Sequence, residues 1–583
     1  MHKPFFVVAL LALATSSPVF ADANGDLEQL VSQYWADNLK ESPVFASSLG
    51  VDTYANEVGD YSLAGIDRRA AAAAKFLQQL QAIPVSQLNP DSRVEYGILE
   101  RTLMETVEAN TMGQRVINFT NRSGWHQSLA GMADNLSFED AADFESYNKR
   151  LQQYARVNDE AIAVADMAIE GQYTLPCDAL DGYEDSITGL ITGDVTESRF
   201  YQPYARKRPS AVSAKEFDAL AAQAADTIRS TIEPALEKHA QWYMNSYKPA
   251  CATAPGVAAQ PGGADYYDFR IRQQTTTALS AQEIHDIGLA EVARIRAEMV
   301  EVAKSAGYDS REAFIEHLRT DPQYYARTPE ELMEKVSRQT KIIDGKMPGL
   351  FGKLPRLPYG IKEIPAETAE GTTTAYYNPG SPDIGIAGFY YVNTSKLDQR
   401  PFWEIPALSV HEAVPGHHHQ IALQQELPLS DFRKNGAFFT AFVEGWGLYS
   451  ERLGIEMGLY DTPAKDMGRL SYEMWRACRL VVDTGIHAMG WSKAQAIAFM
   501  RDNTALSDAN IEAEVNRYIS WPGQALAYKL GELKIRELRE YATAELGPDF
   551  RLAEFHDVVL GQGAVPLDVL DSQVKEWVAS KKG

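Results

Sequence analysis

The stretch FWEIPALSVHEAVPGHHHQ, residues 402–420, decides how this chain is read. Four of the 11 histidines fall within it: His411, His417, His418 and His419. His411-Glu412 followed by further histidines is the grammar of zinc peptidase helices. In those helices two His bind the metal and the Glu takes a proton from water. The usual second His comes one helical turn on, at i+4, but here that position is Pro415. On an ideal helix His417 would lie about 9 Å and His418 about 10.5 Å along the axis from His411. One zinc needs every ligand atom about 2.0–2.1 Å away, so a regular helix does not serve. Pro415 lacks an N–H and disturbs the preceding turn, and Gly416 permits unusual dihedrals. Together they predict a break that swings His417 back towards His411. The spacing leaves His418 as the alternative, and His417 is preferred because it directly follows the break. The plainer alternative is a polar helix face with surface histidines. The apolar lead-in, Phe402 to Val410, buries one side of the helix and holds the polar cluster at a wall.

A third ligand is sought in AFVEGWGLYSE, residues 441–451. Glu444 is an acid among apolar and small residues on a second expected helix, the usual source of a third zinc ligand. Gly445 and Gly447 allow close helix approach. Glu451 lies two turns on, either orienting a ligand His or lying at the surface.

Outside this region the sequence has helical period. Residues 66–82 are rich in Ala, Leu and Gln. In 211–246, Phe217, Leu220, Ala224, Ile228, Ile232 and Leu236 form one apolar stripe. Ser280 followed by Glu283 predicts a capped helix over 280–305. Further helices are expected over 25–40, 90–112, 145–170, 328–345, 400–414, 430–460, 464–489, 492–502, 508–519, 524–545 and 565–580. Strand-like sequence is confined to 383–392, with a partner at 371–377 and a turn at Asn378-Pro379-Gly380. The fold class is therefore mainly α with one small sheet. The Pro- and Ala-rich segment 247–264 reads as a surface loop or a seam. It separates an N-terminal helical part, 22–250, from a C-terminal part, 265–583, that carries the metal site.

Met1-His2-Lys3, the apolar run to Ser16 and Val19-Phe20-Ala21 read as a signal peptide, residues 1–21. The run is short of the ~20 residues that span a bilayer. An exported protein, periplasmic or extracellular and without stable membrane insertion, is expected. No Cys follows the cleavage site, which argues against a lipid anchor. Of three cysteines, Cys177 and Cys251 lie in loop-like sequence and are expected to pair, leaving Cys478 buried in a helix. The formal charge of −24 argues against nucleic acid or anionic lipid as partner.

HEAVPGHHHQ, VEGWGLYSE, RACRLVVDTGIHAMGWS and WPGQALAYKLGELK together resemble the large bacterial family catalogued as domain of unknown function 885. That family is similar to the gluzincin metallopeptidases, a mostly helical, cleft-shaped group that includes angiotensin-converting enzyme. The resemblance implies one Zn²⁺ per chain on His411, His417 and Glu444, with Glu412 as general base. It implies that Gly385–Val392 is a strand beside the metal helix whose edge binds a peptide backbone. It also implies that His487 and Tyr528 stabilise the oxyanion. An interior histidine and a core aromatic are the plainer readings of those two. The expected activity is hydrolysis of short peptides, in its exo-acting form a carboxypeptidase or dipeptidyl carboxypeptidase. Lys529, Arg479 and Arg476 are the candidates for holding a terminal carboxylate. Another zinc amide hydrolase, or a non-catalytic exported metal- or peptide-binding protein, is the alternative. The sequence does not speak to oligomeric state.

Overall fold

The computed structural model describes residues 22–369, 372–382 and 385–582. The expected signal peptide lies outside them, as do Gly371, Asp383 and Ile384 of the expected hairpin. The described chain is mainly helical with one small sheet. Among the described residues no helix is long and apolar enough to cross a membrane.

The helices used below are α1 (Ala23–Glu41), α2 (Leu63–Gln81), α3 (Pro90–Thr111), α4 (Tyr154–Gly171), α5 (Ala281–Ser305), α6 (Ile405–Glu412), α7 (His417–Glu426), α8 (Thr440–Leu453), α9 (Pro463–His487), α10 (Asp508–Ser520), α11 (Ala527–Leu546) and α12 (Leu567–Lys582). Local chemistry sets several of their ends. Ser280 and Glu283 exchange the two bonds of a capping box at the start of α5. The long stripe over 211–246 forms a helical run from Ala214 to Tyr247, interrupted by π turns at Ile228–Ile232 and Tyr243–Tyr247. The first π turn precedes Pro234, which cannot donate to a regular α ladder. The region expected as one helix over 145–170 is split into Ala141–Leu151 and α4. Helices at Gly263–Thr275, Arg311–Thr320 and Leu552–Leu560 lie outside the expected ones, although Ser310 caps the second of them by accepting from Ala313 N–H at 3.1 Å.

The sheet has three strands: β1 (Tyr359–Glu363), β2 (Ala375–Asn378) and β3 (Gly388–Val392), in the order β1-β3-β2. The expected hairpin pairs β2 with β3 antiparallel, Tyr377 opposite Tyr390, while β1 pairs parallel on the other side. The central position of β3 overturns the expected role of Gly385–Val392. Both edges of β3 already hold neighbours, so a peptide cannot add to it. The pentapeptide YGIKE of β1 is too short and too polar to have announced itself.

Three large cores, beside two small clusters, organise the described residues. One joins α1–α3 to α8, α11 and α12 through Leu27, Leu99, Phe442, Trp446, Ile535 and Val574. The second packs α5 and α9 against the sheet and α6 through Ile295, Tyr390, Trp403, Leu408 and Met474. The third is built almost wholly from residues 119–247. The third core therefore begins near residue 119 and ends at Tyr247, where the 247–264 segment starts, while residues 23–103 pack with the C-terminal part. An amphipathic stripe tells that a face is buried, and not which partner buries it. The seam itself straps onto α9: Val257 N–H donates to His487 Nδ1 at 3.1 Å. Cys177 and Cys251 form the disulfide, and Cys478 is free and buried.

In the third core His239 lies on the Trp125 ring, centroids 4.2 Å apart, and 5.1 Å from the His126 ring. Neither of its ring nitrogens has a partner. Burial, helped by the neighbouring His126, lowers the His239 pKa from 6.5 to about 3. A depressed folded-state pKa makes this stability present above pH 6.5 and lost as pH falls towards 3. At pH 5 one such histidine costs about 2 kcal/mol relative to neutral pH. His239→Phe keeps the stack and removes the charging group. Melting curves should therefore show a smaller loss of Tm between pH 7 and pH 5 for the variant than for the parent.

Candidate metal centre

Helix α6 ends at Glu412 and α7 begins at His417, with Val414-Pro415 in the cis form between them. The break expected from Pro-Gly is present. Gly416 N–H reaches back to Val410 O at 2.9 Å, and His418 N–H to Ala413 O at 3.1 Å. A Cβ at Gly416 would meet His411 O at 1.9 Å, so only glycine fits this fold-back. Pro415 O, freed from any helix ladder, accepts from Trp446 Nε1 at 2.7 Å. The result places the His417 ring 4.7 Å from the His411 ring and nearly perpendicular to it, at 89°.

Helix α8 brings the carboxylate. Glu444 Oε2 stands 3.6 Å from His411 Nε2 and 3.4 Å from His417 Nε2. One donor atom from each of the three residues lies within 4.8 Å of the others. The approach depends on two glycines. A Cβ at Gly447 would stand 2.8 Å from His411 Cε1, and one at Gly445 would stand 2.5 Å from Gly531 Cα of α11.

The residues present fit a metal ion. Four ligands about 2.05 Å from a tetrahedral zinc are about 3.3 Å apart, close to the two distances seen. Charge gives a second test. His411 Nδ1 stands 2.8 Å from Glu451 Oε1 and donates to it, which leaves Nε2 of the neutral ring as a lone pair facing the Glu444 oxygen. Two acceptors face each other across a gap that only a cation or a proton can fill. Without a metal the proton fills it. Burial opposes a charge on His411, but hydrogen bonds to Glu444 and Glu451, with the charges of Glu451 and Glu412, raise its pKa to about 9. The same contacts, joined by His417, hold Glu444 well below the usual carboxylate range against its burial.

Glu451 is 1% exposed, so it is no surface residue. Arg476 of α9 stands 3.2 Å from the same Oε1 that His411 uses and fixes the carboxylate from behind. Glu412 is 8% exposed at the end of α6, near enough for its charge to act on His411.

The remaining histidines separate cleanly. His418 Nε2 donates to Leu357 O at 3.0 Å, so Nδ1 accepts from Tyr377 OH at 2.9 Å. Both nitrogens are occupied, which leaves His417 as the one that joins His411 and Glu444. His419 is buried against Phe351. His487 does not join the site. Its Nδ1 accepts from Val257 N–H and its Nε2 donates to Tyr518 O at 2.9 Å, so it has no donor to offer an oxyanion. That expectation is corrected: His487 is an interior histidine locking the seam to α9. Tyr528 OH accepts from Arg517 at 3.0 Å, and its own proton stays free to donate. Lys529 is fully buried with Glu291, Glu473 and Glu532 at 2.9–3.0 Å, which removes it as a carboxylate binder. Arg476 is removed likewise by Glu451. Sequence reasoning missed the Arg476 brace and the contact of Gly447 with His411, although the GWG that follows Glu444 signalled a close approach.

A family described as "Bacterial protein of unknown function (DUF885)" matches residues 43–574. A crystal structure described as that of "the putative lipoprotein from Colwellia psychrerythraea" superposes with a TM-score of 0.87 at 28% identity, covering 96% of this chain and all of that one. A second, of "a putative lipoprotein of unknown function from Shewanella oneidensis", gives a TM-score of 0.70 at 18% identity over 94% of this chain and 99% of that one, a likeness of fold. No curated protein matches the sequence.

If Glu451 orients His411 for a metal, Glu451→Gln should weaken zinc binding about 10–100-fold. Competition against a chromophoric chelator reads that loss, and an unchanged circular dichroism spectrum separates it from unfolding.

Proposed function

The chain belongs to the DUF885 family, and we propose that within it this protein is an exported zinc-dependent peptidase acting on short peptides. The observation that carries the reading is the acceptor-lined gap between His411, His417 and Glu444, with Glu412 following His411 in the chain and near enough for its charge to act on that ring. Those three residues would hold one Zn²⁺. When bound, zinc supplies Lewis acidity, polarising a carbonyl oxygen and lowering the pKa of a water.

The chain's own groups do the rest. Glu412 takes a proton from the attacking water on its carboxylate and returns it to the leaving amine nitrogen. A pure binding site has no need of a base adjacent to its first ligand. Glu451 and Arg476 keep the His411 ring in the tautomer whose Nε2 is a lone pair. Tyr528 donates its phenolic proton to the carbonyl oxygen as that oxygen gains charge. With β3 enclosed, backbone recognition passes to the edge strand β2, whose Tyr377 bonds the His418 that neighbours His417.

Export is supported by the basic and apolar start of the sequence and by the Cys177–Cys251 disulfide, a bond of oxidising compartments. The structure described as a putative lipoprotein from Colwellia psychrerythraea supports it as well.

A mixture of short peptides read by mass spectrometry tests the activity. Native protein should cleave, and chelation should stop it. Glu412→Gln should lower the rate about 10²–10⁴-fold while retaining bound zinc. Zinc-loaded native protein that cleaves no peptide, or a Glu412→Gln variant of undiminished rate, contradicts the proposal.

A further inference from the structure

Where α9 meets α10, three arginines share one carboxylate. Arg479 of α9 donates from Nε to Tyr518 OH at 3.0 Å and from Nη2 to Glu514 Oε2 at 2.9 Å. Arg517 donates to Gln524 Oε1 at 2.6 Å and to Tyr528 OH at 3.0 Å, with its Nη1 3.6 Å from Glu514. Arg122 comes from the 119–247 core. It donates to Ala513 O at 3.0 Å and places Nη1 3.6 Å from Glu514 Oε1. Among the described residues no other carboxylate forms an ion pair with any of the three. The cluster therefore carries about two positive charges more than it balances.

That excess is buried. The Arg479 and Glu514 side chains are 2% and 0% exposed, and Arg479 Nη1 has no hydrogen-bond partner among the described residues, its guanidinium lying over the rings of Trp475 and Tyr528. Arg517 is 15% and Arg122 29% exposed, so the cluster opens towards solvent on their side. Uncompensated buried charge is costly and points to a missing anion. The contrast with Lys529 is direct, since there one buried cation has three carboxylates.

Position ties the cluster to the metal centre. Arg479 lies one helical turn beyond Arg476, which braces Glu451 behind His411. Its guanidinium lies 4.2 Å from the centre of the Tyr528 ring. Tyr528 stands one turn before Gly531, which packs on Gly445 beside Glu444. Arg479 is thus linked to the metal centre on two sides, through Arg476 and Glu451 to His411 and through Tyr528 and Gly531 to the helix of Glu444.

We propose that Arg479, Arg517 and Arg122 recognise the free C-terminal carboxylate of a peptide, which makes the protein exo-acting. Planar guanidinium groups present paired donors that match a carboxylate. This inference rests on the peptidase reading, but it predicts binding that can be measured without turnover.

The test uses full-length Glu412→Gln protein and reads thermal stabilisation by acetyl-Ala-Ala, by its C-terminal amide and by inorganic phosphate. The free acid should raise Tm, and the amide and phosphate should not. Arg122→Gln, at the exposed rim, should weaken binding of the free acid about 10–100-fold and leave the unliganded Tm near that of the parent. Arg517→Lys, which keeps the charge and loses the paired donors, should also bind the free acid more weakly. Equal stabilisation by acid and amide, by phosphate and acid, or by neither peptide overturns the proposal. Selective binding of the acid without any peptide hydrolysis by native protein upholds the carboxylate site and removes the peptidase reading.

Discussion

The interruption between α6 and α7 is the constraint on which the site depends. A helix that continued through Ala413–Gly416 would carry His417 about 9 Å from His411 along its axis. Instead the chain folds back through Pro415 and a glycine that cannot accept a side chain, and the two rings meet at 4.7 Å. The freed Pro415 carbonyl is then held by Trp446, which belongs to the helix that supplies Glu444. One local break thus fixes the two histidines and couples them to the acid.

The surroundings keep that geometry through buried charge rather than through apolar packing alone. Glu451 links His411 to Arg476 and so joins α6, α8 and α9. Lys529 ties α11 to α5 and α9 through its carboxylates. Removing one partner of such a buried group leaves its counterpart uncompensated, at a cost of about 3–5 kcal/mol. The Arg122, Arg479 and Arg517 group departs from this rule of balance, and it does so where α9 and α10 meet the residue 119–247 core.

Much of the fold was legible in the sequence because helix period and capping are local properties. Ser280 and Glu283 announced α5 at its first residue, and Pro415-Gly416 announced the break. The proximity of Glu444 was legible from its small neighbours. What was illegible depends on long-range placement. Nothing in DTGIHAMG tells that a loop some 230 residues earlier occupies His487. Nothing in YGIKE tells that it covers the far edge of β3. Glu451 and Lys529 look alike as charged helix residues, and only the packed structure separates a brace for His411 from a neutralised interior cation.

The central claim is that His411, His417 and Glu444 share one metal ion. X-ray absorption at the zinc edge, on purified protein of measured zinc content, tests it most directly. The account predicts one zinc per chain with two imidazole nitrogens and a carboxylate oxygen at about 2.0–2.1 Å, lost on His417→Ala and retained on His418→Ala. Zinc bound equally well by the His417→Ala protein, or no zinc taken up by the native chain, would contradict it.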